Sequence, residues 1–288
     1  MSFSSDIKEK ISDVASGCPQ CDIYTLSGFL GNAGRVNKDG ITLITENKIV
    51  AEKIADIINK VYNAKISPEF CRTFYKIEIK DTWVSLKMLE DTGFFKGKFK
   101  NNRPCCVSAY VRGAFLGGGS ITDPQKSYHL EFDYKNKSQA EKLVGLLENS
   151  GVMARVTERK SHNVVYVKEY EMIAGVLGLI GAGGAAMEIY NISAEKEIRN
   201  GINRQMNCEN ANMDRIASAY CKHLLAIEKL KASPEYEHLP ESLKEAAEIR
   251  VKFPEDSLKD LGGRFDPPIG KSGVNHRLNR LIEIADSL

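Results

Sequence analysis

The sequence predicts an α+β chain in two parts, a duplicated helix-and-strand domain over residues 1–200 and an all-α domain over residues 205–288. Two observations carry that expectation. Segments beginning at Leu26 and at Val111 run through the same order of apolar helix, glycine-rich helix end, strand, helix and strand. Residues 256–285 then read as two short helices joined by a stiff turn, the plan of a helix-turn-helix.

In the first repeat, about residues 20–93, Leu26-Ser-Gly-Phe-Leu-Gly-Asn-Ala-Gly-Arg-Val36 is an apolar helix that ends in small residues. Ile41-Thr-Leu-Ile-Thr45 is strand-like, Lys48 to Tyr62 is helical, and Phe74–Ile79 returns to strand. In the second, about residues 104–190, Val111-Arg-Gly-Ala-Phe-Leu-Gly-Gly-Gly-Ser-Ile121 matches the opening helix. Tyr128-His-Leu-Glu-Phe-Asp-Tyr134 alternates as a half-buried strand does, Ser138 to Asn149 is helical, and Val164–Val167 is strand. Glycines at both helix ends allow two backbones to touch, so two pseudo-symmetric halves are expected.

The longest charge-free apolar stretch, Met172 to Met187, is shorter than the roughly 20 residues a bilayer requires, so a buried helix and no membrane contact are expected. Inside it, Gly181-Ala-Gly-Gly-Ala-Ala186 matches the GxGxxA dinucleotide fingerprint. That match ends a helical run instead of following a strand, and no clear parallel strand comes after it, which favours helix packing by small residues. The polar run Asn191–Gly201 then marks a boundary between separately folding units near residues 195–207.

In the C-terminal segment Ser257 is a good N-cap, with Asp260 placed for a capping-box-like start. Leu258 and Leu261 form a short apolar stripe, Gly262-Gly263 lets the chain leave the helix, and Asp266-Pro267-Pro268 fixes the turn. Ser272 is expected to cap the second helix. There Val274, Leu278, Leu281 and Ala285 make a core stripe with Ile282 beside it, while His276, Asn279, Arg280 and Glu283 face the other way, flanked by Asn275 and Arg277. Asn and Arg can each make two parallel hydrogen bonds to a base edge, Asn to adenine and Arg to guanine. The expected DNA-facing set is therefore Ser257, Lys271, Ser272, Asn275, His276, Arg277, Asn279 and Arg280. An ordinary amphipathic helix would show the same polar face; the capped helix and rigid turn before it favour a reader of DNA.

A net charge of +2 over 288 residues excludes a histone-like polycation. Residues 205–288 hold 12 Lys and Arg against 14 Asp and Glu. A DNA reader with that balance must concentrate its positive charge, and Arg264, Lys271, Arg277 and Arg280 do so around the last helix. The polar, mixed-charge stretch Met1 to Ser16 is no signal peptide, and seven scattered cysteines fit reduced thiols, so a cytoplasmic, nucleoid-associated protein is expected. Cys18-Pro-Gln-Cys21 has the spacing of half a zinc site, but no second CxxC or HxxxH follows, so no metal and no cofactor are expected.

The two glycine-rich helices resemble the paired LAGLIDADG helices of homing endonucleases. Asn207-Cys-Glu-Asn-Ala-Asn-Met-Asp-Arg215, Leu239-Pro-Glu-Ser-Leu243 and Asp266-Pro-Pro-Ile-Gly-Lys-Ser-Gly-Val-Asn-His-Arg-Leu278 resemble the WhiA family of bacterial sporulation and cell-division regulators. Arg112-Gly-Ala-Phe-Leu-Gly-Gly-Gly-Ser-Ile-Thr-Asp-Pro124 is close to that family's second repeat, and the resemblance covers nearly the whole chain. It implies a duplicated LAGLIDADG-like αββαββα domain tethered to a helix-turn-helix domain related to sigma-factor region 4.

Homing endonucleases place a carboxylate near the end of each LAGLIDADG helix to hold divalent metal against the scissile phosphates. Aligning the motif glycine on Gly28 and on Gly113 puts those positions at Ala33 and Gly118, which can neither ligate metal nor activate water. Asp22, Asp39 and Asp123 lie nearby in sequence but not at the motif position. The expected function is thus a site-specific DNA-binding transcriptional regulator in sporulation or cell division, without catalysis and with double-stranded DNA as partner. The alternatives are an endonuclease using displaced carboxylates, and a scaffold whose repeat domain binds a partner regulator or RNA polymerase. Between the repeats, Lys96, Lys98, Lys100 and Arg103 stand among aromatics with no acid, the composition of either a phosphate-contacting segment or a solvated linker.

Overall fold

The structure is a computed structural model that describes residues 2–94 and 103–288. The chain divides into two compact units, Met1–Lys196 and Glu197–Leu288.

The first unit opens with α1 (Phe3–Ser12), capped by the Ser2 side chain. The first repeat follows as α2 (Cys21–Ala33), β1 (Gly34–Asn37), β2 (Gly40–Thr45), α3 (Lys48–Tyr62), β3 (Glu69–Cys71), β4 (Phe74–Ile79) and α4 (Thr82–Asp91). The second is α5 (Pro104–Gly118), β5 (Gly119–Ile121), β6 (Leu130–Tyr134), α6 (Lys137–Asn149), β7 (Arg155–Arg159), β8 (His162–Val167) and α7 (Tyr170–Ile180). Each repeat is therefore αββαββα. Each builds a four-stranded antiparallel sheet, in the order β1-β2-β4-β3 and β5-β6-β8-β7.

Local chemistry explains the elements. Asn47 starts α3 by accepting from the Val50 amide at 3.2 Å, and Asn63 ends it in a left-handed conformation. Between them Val50, Ala51, Ile54, Ile57 and Ile58 bury one face. In β2 the burial alternates, so Ile41 and Leu43 face the core beside Ile79 and Ile77 of β4, their register partners. Leu130 and Phe132 sit likewise opposite Val167 and Val165 in the other sheet. The two inner faces share one core with Leu26, Phe29 and Leu30 of α2 and Tyr110 and Phe115 of α5. Helices α2 and α5 pack backbone to backbone, because Gly28 faces Tyr110 and Gly113 faces Thr25 without a Cβ in between.

The apolar stretch Met172 to Met187 departs from the single helix expected. α7 stops at Gly181, whose φ of 94° suits only glycine well, and α8 (Gly183–Lys231) starts two residues later. Ala182, Ala185 and Ala186 are buried in the core, so the GxGxxA match is a helix junction packed through small side chains. The polar run Asn191–Gly201 is helical within α8, and the division between the units falls inside it.

The second unit continues α8 through the buried Ala226, Ile227 and Leu230, followed by a short 3-10 turn at Pro234–Tyr236. Three helices complete it: α9 (Glu241–Lys252), α10 (Leu258–Gly262) and α11 (Lys271–Asp286). Leu239, Leu243, Ala246, Ala247, Leu261 and Phe265 meet the α11 stripe Val274, Leu278, Leu281 and Ala285 in one core. Arg250 of α9 is 2% exposed; its Nη1 donates to the Asp256 carbonyl at 2.8 Å and its guanidinium lies over the Tyr220 ring. Among the described residues no helix is long and apolar enough to cross a membrane.

Candidate nucleic-acid interface

Ser257 caps α10 as expected, accepting from the Asp260 amide at 3.4 Å. The return contact differs from a capping box, since the Ser257 hydroxyl itself donates to the Asp260 carboxylate at 2.6 Å. The chain then doubles back tightly, and the Ile269 amide donates to the Gly262 carbonyl at 2.9 Å. A Cβ on Gly262 would lie 2.3 Å from the Ile269 carbonyl oxygen, so the turn needs glycine there.

That turn sets where α11 begins. Gly270 is the N-cap, at φ −73° and ψ 161°, and no side chain caps the helix. Ser272 therefore does not cap α11: it sits exposed in the first turn, two residues past the N-cap. From Lys271 onward the periodicity performs as expected. Val274, Leu278, Leu281 and Ala285 are each 1% exposed, while Lys271, Ser272, Asn275, His276, Asn279 and Arg280 face solvent.

Arg277 is the exception in the expected set. Its Nη1 bonds the Glu245 carboxylate of α9 at 3.3 Å, and its guanidinium lies 4.9 Å from the Phe265 ring centroid. Two other cations are also engaged: Arg264 pairs with Asp256 at 3.2 Å and lies over Phe253, and Arg280 pairs with Glu283 at 2.8 Å. Of the four basic residues expected to concentrate charge here, Lys271 alone makes no ion pair among the described residues.

In the first unit, Ala33 and Gly118 are the last residues of α2 and α5, where the motif alignment puts them. Asn32 packs against Gly118, where an added Cβ would stand 2.5 Å from its amide nitrogen. Asp22 lies at the opposite end of α2, where burial would raise its pKa but bonds from Lys60 (2.7 Å) and Ser16 hold it below the usual range. Asp39 is in the β1–β2 turn, and Asp123, after β5, accepts from the Gln125 amide at 2.9 Å. The outward faces of both sheets carry ion pairs, Lys76 with Glu69 and Glu78 and Arg159 with Glu131, and His162 Nδ1 lies within hydrogen-bond distance of the Asp133 carboxylate. Arg103 is exposed at the start of α5, whereas Lys96, Lys98 and Lys100 lie outside the described residues.

A further cluster escaped the sequence reading. The Sγ atoms of Cys18, Cys21, Cys105 and Cys106 all lie within 4.8 Å of one another, so the half-site expected to lack a partner has one. A signal was present, because Cys21 and Cys106 each stand seven residues before the motif glycines Gly28 and Gly113. A search for a second CxxC could not find it, because the partner pair is two adjacent residues.

Comparison with known proteins agrees with this architecture. A family profile described as "WhiA LAGLIDADG-like domain" matches residues 107–199, and one described as "WhiA C-terminal HTH domain" matches residues 202–285. A protein of Alkaliphilus metalliredigens named "Probable cell division protein WhiA" is 37% identical over 311 residues, covering 99% of this chain and 98% of its own length. A relative of the same name from Thermoanaerobacter sp. is 36% identical over 314 residues, with 100% and 98% covered. The crystal structure of full-length DUF199/WhiA from Thermatoga maritima superposes with a TM-score of 0.62 at 26% identity, covering 100% of this chain and 99% of that one. With full-length relatives well above 30% identity and both domain profiles matched in order, the chain belongs to the WhiA family.

Proposed function

We propose that this protein is a sequence-specific, non-catalytic DNA-binding regulator of transcription that acts in bacterial cell division and sporulation, on the nucleoid in the cytoplasm. The observation that carries the proposal is the solvent-facing row Asn275, His276, Asn279 and Arg280 on α11, within a domain of the WhiA helix-turn-helix type. Such a helix enters the major groove, where Asn and Arg discriminate bases by paired hydrogen bonds. The relatives named as cell-division proteins support the cellular role. The lack of a carboxylate at Ala33 and Gly118 supports the absence of nuclease chemistry.

The test is binding by the full-length protein. Asn279→Ala and Arg280→Ala should each cost about 1–3 kcal/mol on the preferred site and relax discrimination there. Lys271→Ala should weaken all sequences alike and reduce the salt dependence. Plasmid incubated with the protein and Mg²⁺ or Mn²⁺ should stay intact. If both α11 variants bind as tightly as wild type while charge reversals over Lys96–Arg103 abolish binding, the repeat domain is the reader.

The repeat domain fits a second role as a docking surface for a partner regulator or RNA polymerase. Trp83 and Leu86, both 63% exposed on α4, are the feature that favours it.

A further inference from the structure

We propose that Cys18, Cys21, Cys105 and Cys106 form a structural zinc site that ties together the N-terminal ends of α2 and α5. The four sulfurs come from chain segments more than eighty residues apart in sequence, yet all lie within 4.8 Å of one another. Cys18 is the hub: its Sγ stands 3.5 Å from Cys21, 3.7 Å from Cys106 and 3.8 Å from Cys105. A tetrahedral ion with Zn–S bonds of about 2.3 Å places its sulfurs about 3.8 Å apart, so these three separations already have the required length. A polynuclear iron–sulfur cluster shares its four thiolates among two or more irons and spreads them wider than a single ion does. A disulfide would pair two sulfurs and leave no reason for the other two to converge on Cys18.

The cluster gathers at two helix starts. Cys21 is the first residue of α2, and Cys105 and Cys106 lie in the first turn of α5. Two helix N-termini, with their positive dipole ends, therefore meet at the cluster, and neither helix start has a side-chain cap hydrogen bond. Cys21 and Cys106 are 1% and 0% exposed, packed with Ala109 and partly covered by Tyr24, which shields the centre from water and oxidants. Cys18 and Cys105 are half-buried and leave a route for the ion. The placement is pseudo-symmetric, since Cys21 and Cys106 occupy equivalent positions in the two repeats. Glycine contacts join the middle of the helix pair, and the ion would join its start, at the end opposite Ala33 and Gly118.

The test uses full-length protein expressed with zinc and purified under reducing conditions. Elemental analysis should find about one zinc per chain, retained through dialysis. Cobalt exchanged into the protein should give the intense visible bands of a tetrahedral tetrathiolate ion. Four of the seven thiols should resist a thiol reagent until a strong chelator is added, and the chelated protein should melt at a lower temperature. Cys105→Ser and Cys21→Ser should lose the zinc, while Cys71→Ser and Cys208→Ser retain it. The metal and cobalt measurements on wild type decide the matter even if the ligand variants fail to fold. Zinc well below one per chain together with no cobalt bands would overturn the proposal, as would one iron per chain in place of zinc, or a disulfide among these four residues in the reduced preparation.

Discussion

Gly113 of α5 faces the carbonyl of Thr25 on α2 so closely that a methyl group at Gly113 would stand 2.0 Å from the oxygen. Gly28 repeats the relationship from the other side, 2.1 Å from the Tyr110 carbonyl. Both obstacles are backbone, which cannot rotate away as a side chain can. Gly113→Ala must therefore push the helices apart through the shared core, and should cost about 3 kcal/mol in chemical denaturation. Gly145→Ala, on α6 with nothing within 4 Å, should instead stabilise by about 0.5–1 kcal/mol. Equal effects for the two substitutions would show that the helix contact is not tight.

Arg277 should behave as a structural residue and Arg280 as a restrained reader. Arg277→Ala removes a half-exposed ion pair to Glu245 and the contact with Phe265, and should lower stability by about 1 kcal/mol while leaving base discrimination in place. Glu283→Gln should release Arg280 from its 2.8 Å partner and raise DNA affinity a few-fold at low salt, an advantage that shrinks as salt screens it. Loss of discrimination in Arg277→Ala without loss of stability would reverse these roles.

Acid should weaken the C-terminal unit through His223. Burial, reinforced by the Arg250 charge, lowers this imidazole to about 4, whereas an unperturbed histidine titrates near 6.5. The unfolded chain therefore binds the proton more readily than the folded one. The stability contributed by the neutral ring is present in full above about pH 6.5 and is lost as the pH falls toward 4. Melting temperatures measured from pH 7 to pH 4 should fall, and His223→Gln should flatten that fall. A variant with the same acid slope as wild type would remove His223 as its cause.

Limited proteolysis should cut the middle of α8. Residues 202–215 are exposed along their whole length and rich in asparagine, so their helical hydrogen bonds open without uncovering a core. Two stable fragments, one from each side of this stretch, are the expected product. A single protected core spanning residues 190–210 would rule out independent units.

Local and periodic features were legible from the residues alone. The duplicated order of helices and strands and the buried stripe Val274, Leu278, Leu281 and Ala285 follow from short-range spacing, which propensity and burial enforce wherever the segment packs, and the resemblance to LAGLIDADG helices marked Ala33 and Gly118 as positions without a carboxylate. Tertiary structure decided the rest, because those outcomes depend on groups far apart in sequence. The return of Ile269 onto Gly262 moved the cap of α11 from Ser272 to Gly270. Glu245 and Phe265, brought in from other segments, took Arg277 out of the exposed row. The close approach of α2 and α5, possible only between glycines, set two pairs of cysteines side by side that no local pattern joins. Spacing along a chain specifies which face of an element is buried; only packing specifies what that face, and the ends beside it, will meet.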